Sequence, residues 1–228
     1  MKNLDQYISE SLKGYKPGTI KPKEQLIEDC TGYFENQEVD VDKIENLDTS
    51  NVIDMNSMFF KSVFSLDGLD LSSWDVSNVE DMSYMFGWSN VKILDLSSWD
   101  VSNVKNMRYM FADCRYLESL DLSSWDTSKV KNVDYMFYGC YNLTNIKFSP
   151  SLGSNKTPLS LSLCSCGERK GYKLSDETYE SMLTMYDRKK AGLSPMEITF
   201  NRKHNIPDGW KVKMKERGYD IKYKNTKK

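Results

Sequence analysis

Apolar and polar residues alternate in short bursts that return along this chain. Leu69, Leu94, Leu120 and Ile146 each precede, by two positions, Leu71, Leu96, Leu122 and Phe148. Between them stand Asp70, Asp95, Asp121 and Lys147, and after them Ser72, Ser97, Ser123 and Ser149. Period-two alternation over four residues predicts a short strand, buried on one side and wet on the other. Trp74, Trp99 and Trp125 follow at the turn out of that strand, and a buried indole needs an acceptor for its N–H, with the neighbouring Ser or Asp the expected partner. Next, Val79/Val104/Val130, Met82/Met107/Val133, Met85/Met110/Met136 and Phe86/Phe111/Phe137 fall at i, i+3, i+6 and i+7. That spacing predicts one apolar face of a two-turn helix, with Asn78 and Asp81, or Asn51 and Asp54, at its start.

The bursts belong to a repeat. LDLSSWDVSNV starts at Leu69 and again at Leu94, and LDLSSWDTSKV starts at Leu120, so the period is 25 and then 26 residues. An earlier degenerate copy, LDTSNVIDMNSMF, ends at Phe59. A period of this length predicts a solenoid, whose units bury their apolar residues against one another. The expected fold is an α/β solenoid, right-handed by the usual crossover preference, with one short parallel strand and one short helix per 25–26-residue repeat. Stacked strands would make a concave face whose exposed row is Asp70, Ser72, Asp95, Ser97, Asp121 and Ser123, ending in Lys147. Tyr84, Tyr109 and Tyr135 lie beside the core stripe of the predicted helices and form a second candidate row on the convex side. After Pro150 the motif dissolves. Leu174–Tyr186 reads as a helix capped by Ser175 or Asp176, with Tyr179, Met182, Leu183 and Tyr186 on one face. Met196–Phe200 alternates like a strand, Pro207-Asp208-Gly209 opens a helix that runs through Arg217 to Gly218, and Tyr219–Tyr223 reads as a last strand.

Composition narrows the picture. Of 228 residues, 39% are hydrophobic and 28% charged, enough for one elongated domain with a cap. No stretch approaches 18 apolar residues, so no membrane span is predicted. The opening MKNLDQYISESLKGYKPG lacks an apolar core and carries Asp5 and Glu10, so it does not read as a secretory signal. The net charge of −2 conceals a split. Residues 39–148 hold 17 acidic and 9 basic side chains, whereas residues 168–228 hold 16 basic and 9 acidic. Solvated faces or an interaction tail both produce such an asymmetry.

Chemistry is sparse. There is no HExxH, GxSxG, GxxxxGK[ST] or GxGxxG, and the single histidine, His204, leaves little for Ser-His or Cys-His catalysis. Asp70, Asp95 and Asp121 would stand about 5 Å apart on stacked strands. Paired carboxylates do glycosidase work at that spacing, but catalysis needs two carboxylates in different environments, and a repeated column offers identical ones. The five cysteines include Cys114 and Cys140 at the same place in successive repeats, which suits a column of small buried groups. Cys164-x-Cys166 with one histidine falls short of a zinc ligand set. The expectation is therefore no enzyme, no metal and no cofactor.

The pattern LDLSSWDVSNVxxMxYMFxxC resembles the signature of BspA-type leucine-rich-repeat surface proteins, including phage-borne members, over roughly residues 40–148. The resemblance implies a leucine-rich-repeat-like coil engaged in adhesion or protein binding, commonly at cell surfaces. The preceding KPKEQLIEDCTGYFENQEVDVDKIENLDTSNV is similar to the segment that opens such domains, and its Leu26, Ile27 and Phe34 suit a capping helix. The helix–strand–helix–strand order at the other end is similar to the family's C-terminal cap. The expected division is thus residues 1–22 as a leader or amphipathic segment, 23–38 as the N-terminal capping helix, 39–148 as the solenoid, and 149–228 as a basic cap of degenerate repeats. MKNLDQYISESL also resembles the head-targeting leader of phage internal capsid proteins. Carried over, Tyr7, Ile8 and Glu10 would be recognised, with scission between Glu10 and Ser11; an amphipathic helix with Leu4, Tyr7, Ile8 and Leu12 on one face explains the same residues.

Four roles follow as expectations. The first is a protein-recognition scaffold, since a pre-ordered sheet loses little entropy on binding. The others are a packaged phage protein delivered into the host, a surface adhesin, and nucleic-acid binding by the basic C-terminal region, where Trp210, Tyr219 and Tyr223 sit among lysines. The absence of a signal-like segment points to host cytoplasm or virion rather than cell surface. No motif names the partner or the oligomeric state.

Overall fold

The computed structural model describes residues 44–62, 66–155, 160–163, 165–171 and 173–224. The predicted leader and N-terminal capping helix lie outside them. The described elements are β1 (Ser119–Asp121), β2 (Asn145–Lys147), β3 (Ser160–Ser162), a 3-10 turn (Glu168–Lys170), α1 (Asp176–Met182), β4 (Met196–Asn201), α2 (Trp210–Glu216) and β5 (Tyr219–Lys224). All pairing is parallel: β1 with β2, and β3, β4 and β5 in that order in a second sheet.

The predicted helix in each repeat is not there. Residues 79–86 and their equivalents form successive tight turns and hydrogen-bond sideways to the next repeat. The N–H groups of Met55, Ser57, Phe59 and Lys61 donate to the carbonyls of Asp81, Ser83, Met85 and Gly87. Those of Met82, Tyr84, Phe86 and Trp88 donate to Asn106, Arg108, Met110 and Ala112, and those of Met107, Tyr109, Phe111 and Asp113 to Asn132, Asp134, Met136 and Tyr138. The alternate N–H groups close turns at home, as in Met85 to Met82, Gly87 to Tyr84 and Ser89 to Phe86. N–H groups thus alternate between the neighbouring repeat and partners within their own, which gives the turn backbone its hydrogen bonds without a helix. A helix would have satisfied the same groups internally and left the repeats unlinked. The geometry requires left-handed backbone at two positions four residues apart. Ser57 and Lys61, Tyr84 and Trp88, and Tyr109 and Asp113 have φ between 55° and 63°. In the last repeat the pair is Tyr135 (58°) and Gly139 (75°).

The predicted strand is also reduced. Of the four expected, only β1 and β2 form a ladder, Leu120 opposite Ile146 and Asp121 opposite Lys147. At residues 69–72 and 94–97 side chains make the cross-links. Ser98 Oγ donates to Ser72 O and Ser124 Oγ to Ser97 O, at 3.5 and 2.9 Å. Trp99 Nε1 donates to Leu71 O and Trp125 Nε1 to Leu96 O, both at 3.0 Å. The indole partner is therefore a main-chain carbonyl of the preceding repeat, not the expected Ser or Asp beside it. Asn78 and Asn103 do likewise, donating to Ser50 O (2.8 Å) and Ser77 O (2.7 Å) rather than capping helices.

Columns of identical side chains run through the core. Phe59, Phe86, Phe111 and Phe137 stack at 5.3, 5.6 and 6.0 Å, and Trp74 stacks on Trp99 at 6.3 Å. The Phe column ends edge-on against Phe148. Beside that end lies a cavity of about 20 Å³, walled by Val133, Phe137, Phe148 and Leu152 among others. Val133 stands where the preceding repeats carry Met55, Met82 and Met107, so the shorter side chain leaves the space. Both departures in the third copy answer to local partners: Thr127 Oγ1 meets Ser149 Oγ at 3.1 Å, and Lys129 Nζ reaches Asn103 Oδ1 at 2.7 Å.

The C-terminal region follows its predicted order. Ser175 Oγ caps α1 by accepting from Thr178 N–H at 3.1 Å, and Tyr179 and Met182 are buried beneath it. Arg188 is fully buried, its guanidinium donating to the carbonyls of Ser194, Gly153 and Asn155. His204 ties two connections together: Nδ1 accepts from Asn201 N–H and Nε2 faces Cys166 O, each at 3.1 Å.

Candidate recognition surface

The Asp/Ser row stands exposed, as expected, but its carboxylates already have work within the backbone. Asp70, Asp95 and Asp121 each accept the N–H of the serine two residues on, at 2.9, 3.0 and 3.0 Å. This is an Asx turn, in which a short side chain imitates a backbone turn. The same device recurs at Asp48, Asp75, Asp100 and Asp126, and again at Asp54, Asp81, Asn106 and Asn132. Each of the three full repeats therefore turns three corners on an Asp or Asn, and the degenerate first copy turns two. Hydrogen bonds from Ser72 and Ser97 hold Asp70 and Asp95 below the usual carboxylate range. At Asp121 burial pushes the pKa up, but the bonds from Lys147 and Ser123 outweigh it and the net shift is downward. Lys147 lies over the end of the row, 2.8 Å from Asp121 Oδ2, and that carboxylate holds its ammonium pKa up.

The second row is aromatic. Tyr84, Tyr109 and Tyr135 stack face to face at centroid spacings of 4.8 and 4.8 Å. Tyr84 and Tyr109 are half-buried and Tyr135 is 47% exposed. All three sit on left-handed backbone, which costs an L-residue about 1–2 kcal/mol. Ring stacking returns about 0.5–1.5 kcal/mol per pair. Neighbours widen the strip: Phe60 meets Tyr84 edge-on at 5.9 Å, Trp88 lies 6.3 Å from Tyr109, and Tyr138, 49% exposed, meets Tyr135 edge-on at 6.3 Å. The Arg108 guanidinium rests over Tyr109 at 4.9 Å. None of these four neighbours was legible as part of the row. Phe60 and Tyr138 share one repeat position with Gly87 and Ala112, so no aromatic column marks them.

A smaller cluster was also missed. Arg115 makes a two-pronged bond to the buried Asp113 carboxylate, at 2.9 and 2.8 Å, and with Arg169 brackets the Tyr141 ring at 5.9 and 5.8 Å. Arg115 and Tyr141 are 26 residues apart, one repeat, which is the signal that would have joined them.

The cysteine column is structural. Cys114 and Cys140 donate from Sγ to the carbonyls of Phe86 and Phe111 at 3.1 and 3.0 Å, and Cys166 continues the column one repeat further. Burial pushes the Cys114 thiol up to about 12 and raises Cys140 well above its ordinary value, so neither is poised as a nucleophile. Among the described residues no group of three or more His, Cys, Asp or Glu is placed to hold a metal ion, and no helix is long and apolar enough to cross a membrane. Trp210 (4% exposed) and Tyr219 (1%) belong to the core, so of the three aromatics read as a base-stacking set only the half-buried Tyr223 reaches the surface, beneath Lys211 Nζ at 4.8 Å. Tyr7, Ile8, Glu10 and Ser11 lie outside the described residues.

These features define a repeat protein whose units are joined through equivalent positions and whose outer surface carries two ordered rows. Residues 13–91 and 60–150 match the family described as Mycoplasma protein of unknown function, DUF285. The matches together span more than half of the chain, which therefore belongs to that family, one associated with BspA-like surface repeat proteins. No curated protein and no solved structure matches it.

Proposed function

We propose that this chain is a non-enzymatic protein-recognition scaffold, a leucine-rich-repeat-like coil that meets its partner through the tyrosine row. The observation that carries this reading is the Tyr84–Tyr109–Tyr135 stack with Tyr138 and Arg108 at its flank. Tyr and Arg are the residues that protein interfaces favour, and a rigid strip of them loses little entropy on docking. The Asp/Ser row is the weaker contact surface, since its carboxylates close turns and a partner would compete with those bonds.

The test is capture of binding partners by the immobilised full chain, compared with Tyr135→Ala/Tyr138→Ala and with Asp95→Asn. The expected outcome is loss of the captured protein with the tyrosine variant and its retention with Asp95→Asn, at unchanged cooperativity of unfolding. Retention by the tyrosine variant together with loss by Asp95→Asn would overturn the tyrosine row in favour of the Asp/Ser row.

A further inference from the structure

The two sheets treat their last strands differently. The outer edge of β2 is covered by α1: Ile146 N–H donates to Thr178 Oγ1 at 2.8 Å, Phe148 N–H to Ser181 Oγ at 3.2 Å, and Ser181 Oγ to Ile146 O at 3.0 Å. Strand β5 ends the other sheet, and among the described residues nothing comparable meets its outer edge. Met196 N–H donates to Gly218 O and Arg202 N–H to Lys224 O, so the even-numbered residues of β5 turn their peptide groups toward β4. In a parallel ladder the alternate residues then face outward, which leaves the main-chain groups of Tyr219, Ile221 and Tyr223 on the open edge.

Open edges are usually guarded by like charges that repel a second copy. Here the exposed side chains of that strand, Asp220, Lys222 and Lys224, carry both signs; Lys224 reaches Glu197 at 4.0 Å, whereas Asp220 and Lys222 form no ion pair among the described residues. We propose that two copies of this chain pair their β5 strands antiparallel, about a two-fold axis through Ile221. Ile221 then exchanges both hydrogen bonds with the partner's Ile221, and Tyr219 with the partner's Tyr223. Asp220 falls opposite the partner's Lys222, twice, at a non-hydrogen-bonded position where side chains approach closest. Parity excludes registers that aim the even residues outward. Of the permitted neighbours, a shift one way sets Asp220 against the partner's Asp220, and a shift the other way pairs Asp220 with the partner's Lys224 but sets Lys222 against the partner's Lys222, so only the register centred on Ile221 avoids a like-charge pair. The register centred on Ile221 places opposite charges face to face, and it is self-complementary, as a two-fold interface must be. It would join two three-stranded sheets into one of six.

A contact centred on one strand edge is small beside the roughly 1,200–2,000 Å² of stable interfaces, so a concentration-dependent equilibrium is expected. Sedimentation of the full chain should approach twice its 26.5 kDa mass as concentration rises. Asp220→Lys alone and Lys222→Asp alone each set like charges opposite one another and should weaken the dimer by roughly tenfold or more, while the exposed positions leave the unfolding transition unchanged. An equimolar mixture of the two variants should associate again, because lysines of one chain then face aspartates of the other. The double variant should associate with itself. A wild-type chain that stays monomeric throughout its soluble range, or single variants that dimerise as the wild type does, would overturn the proposal.

Discussion

Residues 66–148 and residues 173–224 both bury apolar cores, but by different means. In the first region the sequence repeats almost word for word, yet regular secondary structure is scarce: two three-residue strands and a series of turns. Backbone bonds between the turns link successive repeats, and side chains add to them, with serine, tryptophan, asparagine and cysteine each bonding to a carbonyl one repeat away. In the second region the repeat has decayed, and conventional helices and six-residue strands take over. Where side chains share the cross-links with the backbone their identity is constrained, so the words repeat; where backbone ladders alone carry them, many sequences serve. Exact repetition here marks side-chain dependence, not regular structure.

The comparison breaks most sharply at Trp99. Trp99→Ala removes a stacked ring and the bond to Leu71 O, and should cost about 3–5 kcal/mol with a shallower denaturant transition. A neutral result would mean that the backbone alone holds neighbouring repeats together. The left-handed positions offer a second test. At Gly139 a Cβ would lie 2.4 Å from Asp113 Oδ1, on backbone at φ 75°, so Gly139→Ala should cost about 2–4 kcal/mol. At the equivalent exposed Lys61, Lys61→Gly should instead gain about 1 kcal/mol, and losses at both sites would contradict the strain argument. The smallest effect belongs to the C-terminal region. Burial holds the His204 pKa below its ordinary value, opposed by its bonds to Cys166 and Asn201. Below about pH 6.5 the unfolded chain takes up a proton that the folded one resists, so stability should fall with pH, by at most about 1.4 kcal/mol per unit. Thermal melts between neutral and mildly acidic pH should show that limb in the wild type and lose it in His204→Gln.

The inward-facing columns were legible because apolar identity recurs at a fixed interval, and so were Ser175 as a cap and the strands at Met196 and Tyr219. The helix in each repeat was misread for a physical reason. Spacing of i, i+3, i+6 and i+7 describes which residues face inward, and a chain of tight turns with two left-handed residues delivers the same face. Nothing about Tyr84 or Trp88 announces a positive φ, since glycine takes that role in one repeat alone, at Gly139. Aspartates at Asp70, Asp95 and Asp121 looked like contact residues because they are exposed and regular. Their partner is a main-chain N–H two residues away, which an amino-acid pattern does not display. The tyrosine row was legible as a row, but its aromatic shoulder at Phe60, Trp88 and Tyr138 was not, since each comes from a different repeat without a counterpart above or below.

The lengths of the repeats carry a last lesson. Twenty residues separate Leu69 from Ser89, Leu94 from Cys114, and Leu120 from Cys140, so the tryptophan, asparagine, tyrosine and phenylalanine columns lie within a frame of constant length. The variation is confined to the connections: seven residues from Ser62 to Leu69, five from Ser89 to Leu94, and six from Cys114 to Leu120. Adding one residue inside the frame would exchange the peptides that bond outward with those that bond inward beyond the insertion, and would break the rungs there. A gene of this kind can therefore grow or shrink by whole units through recombination, and can accept small insertions at one joint per unit, while the interior of each unit stays closed to both.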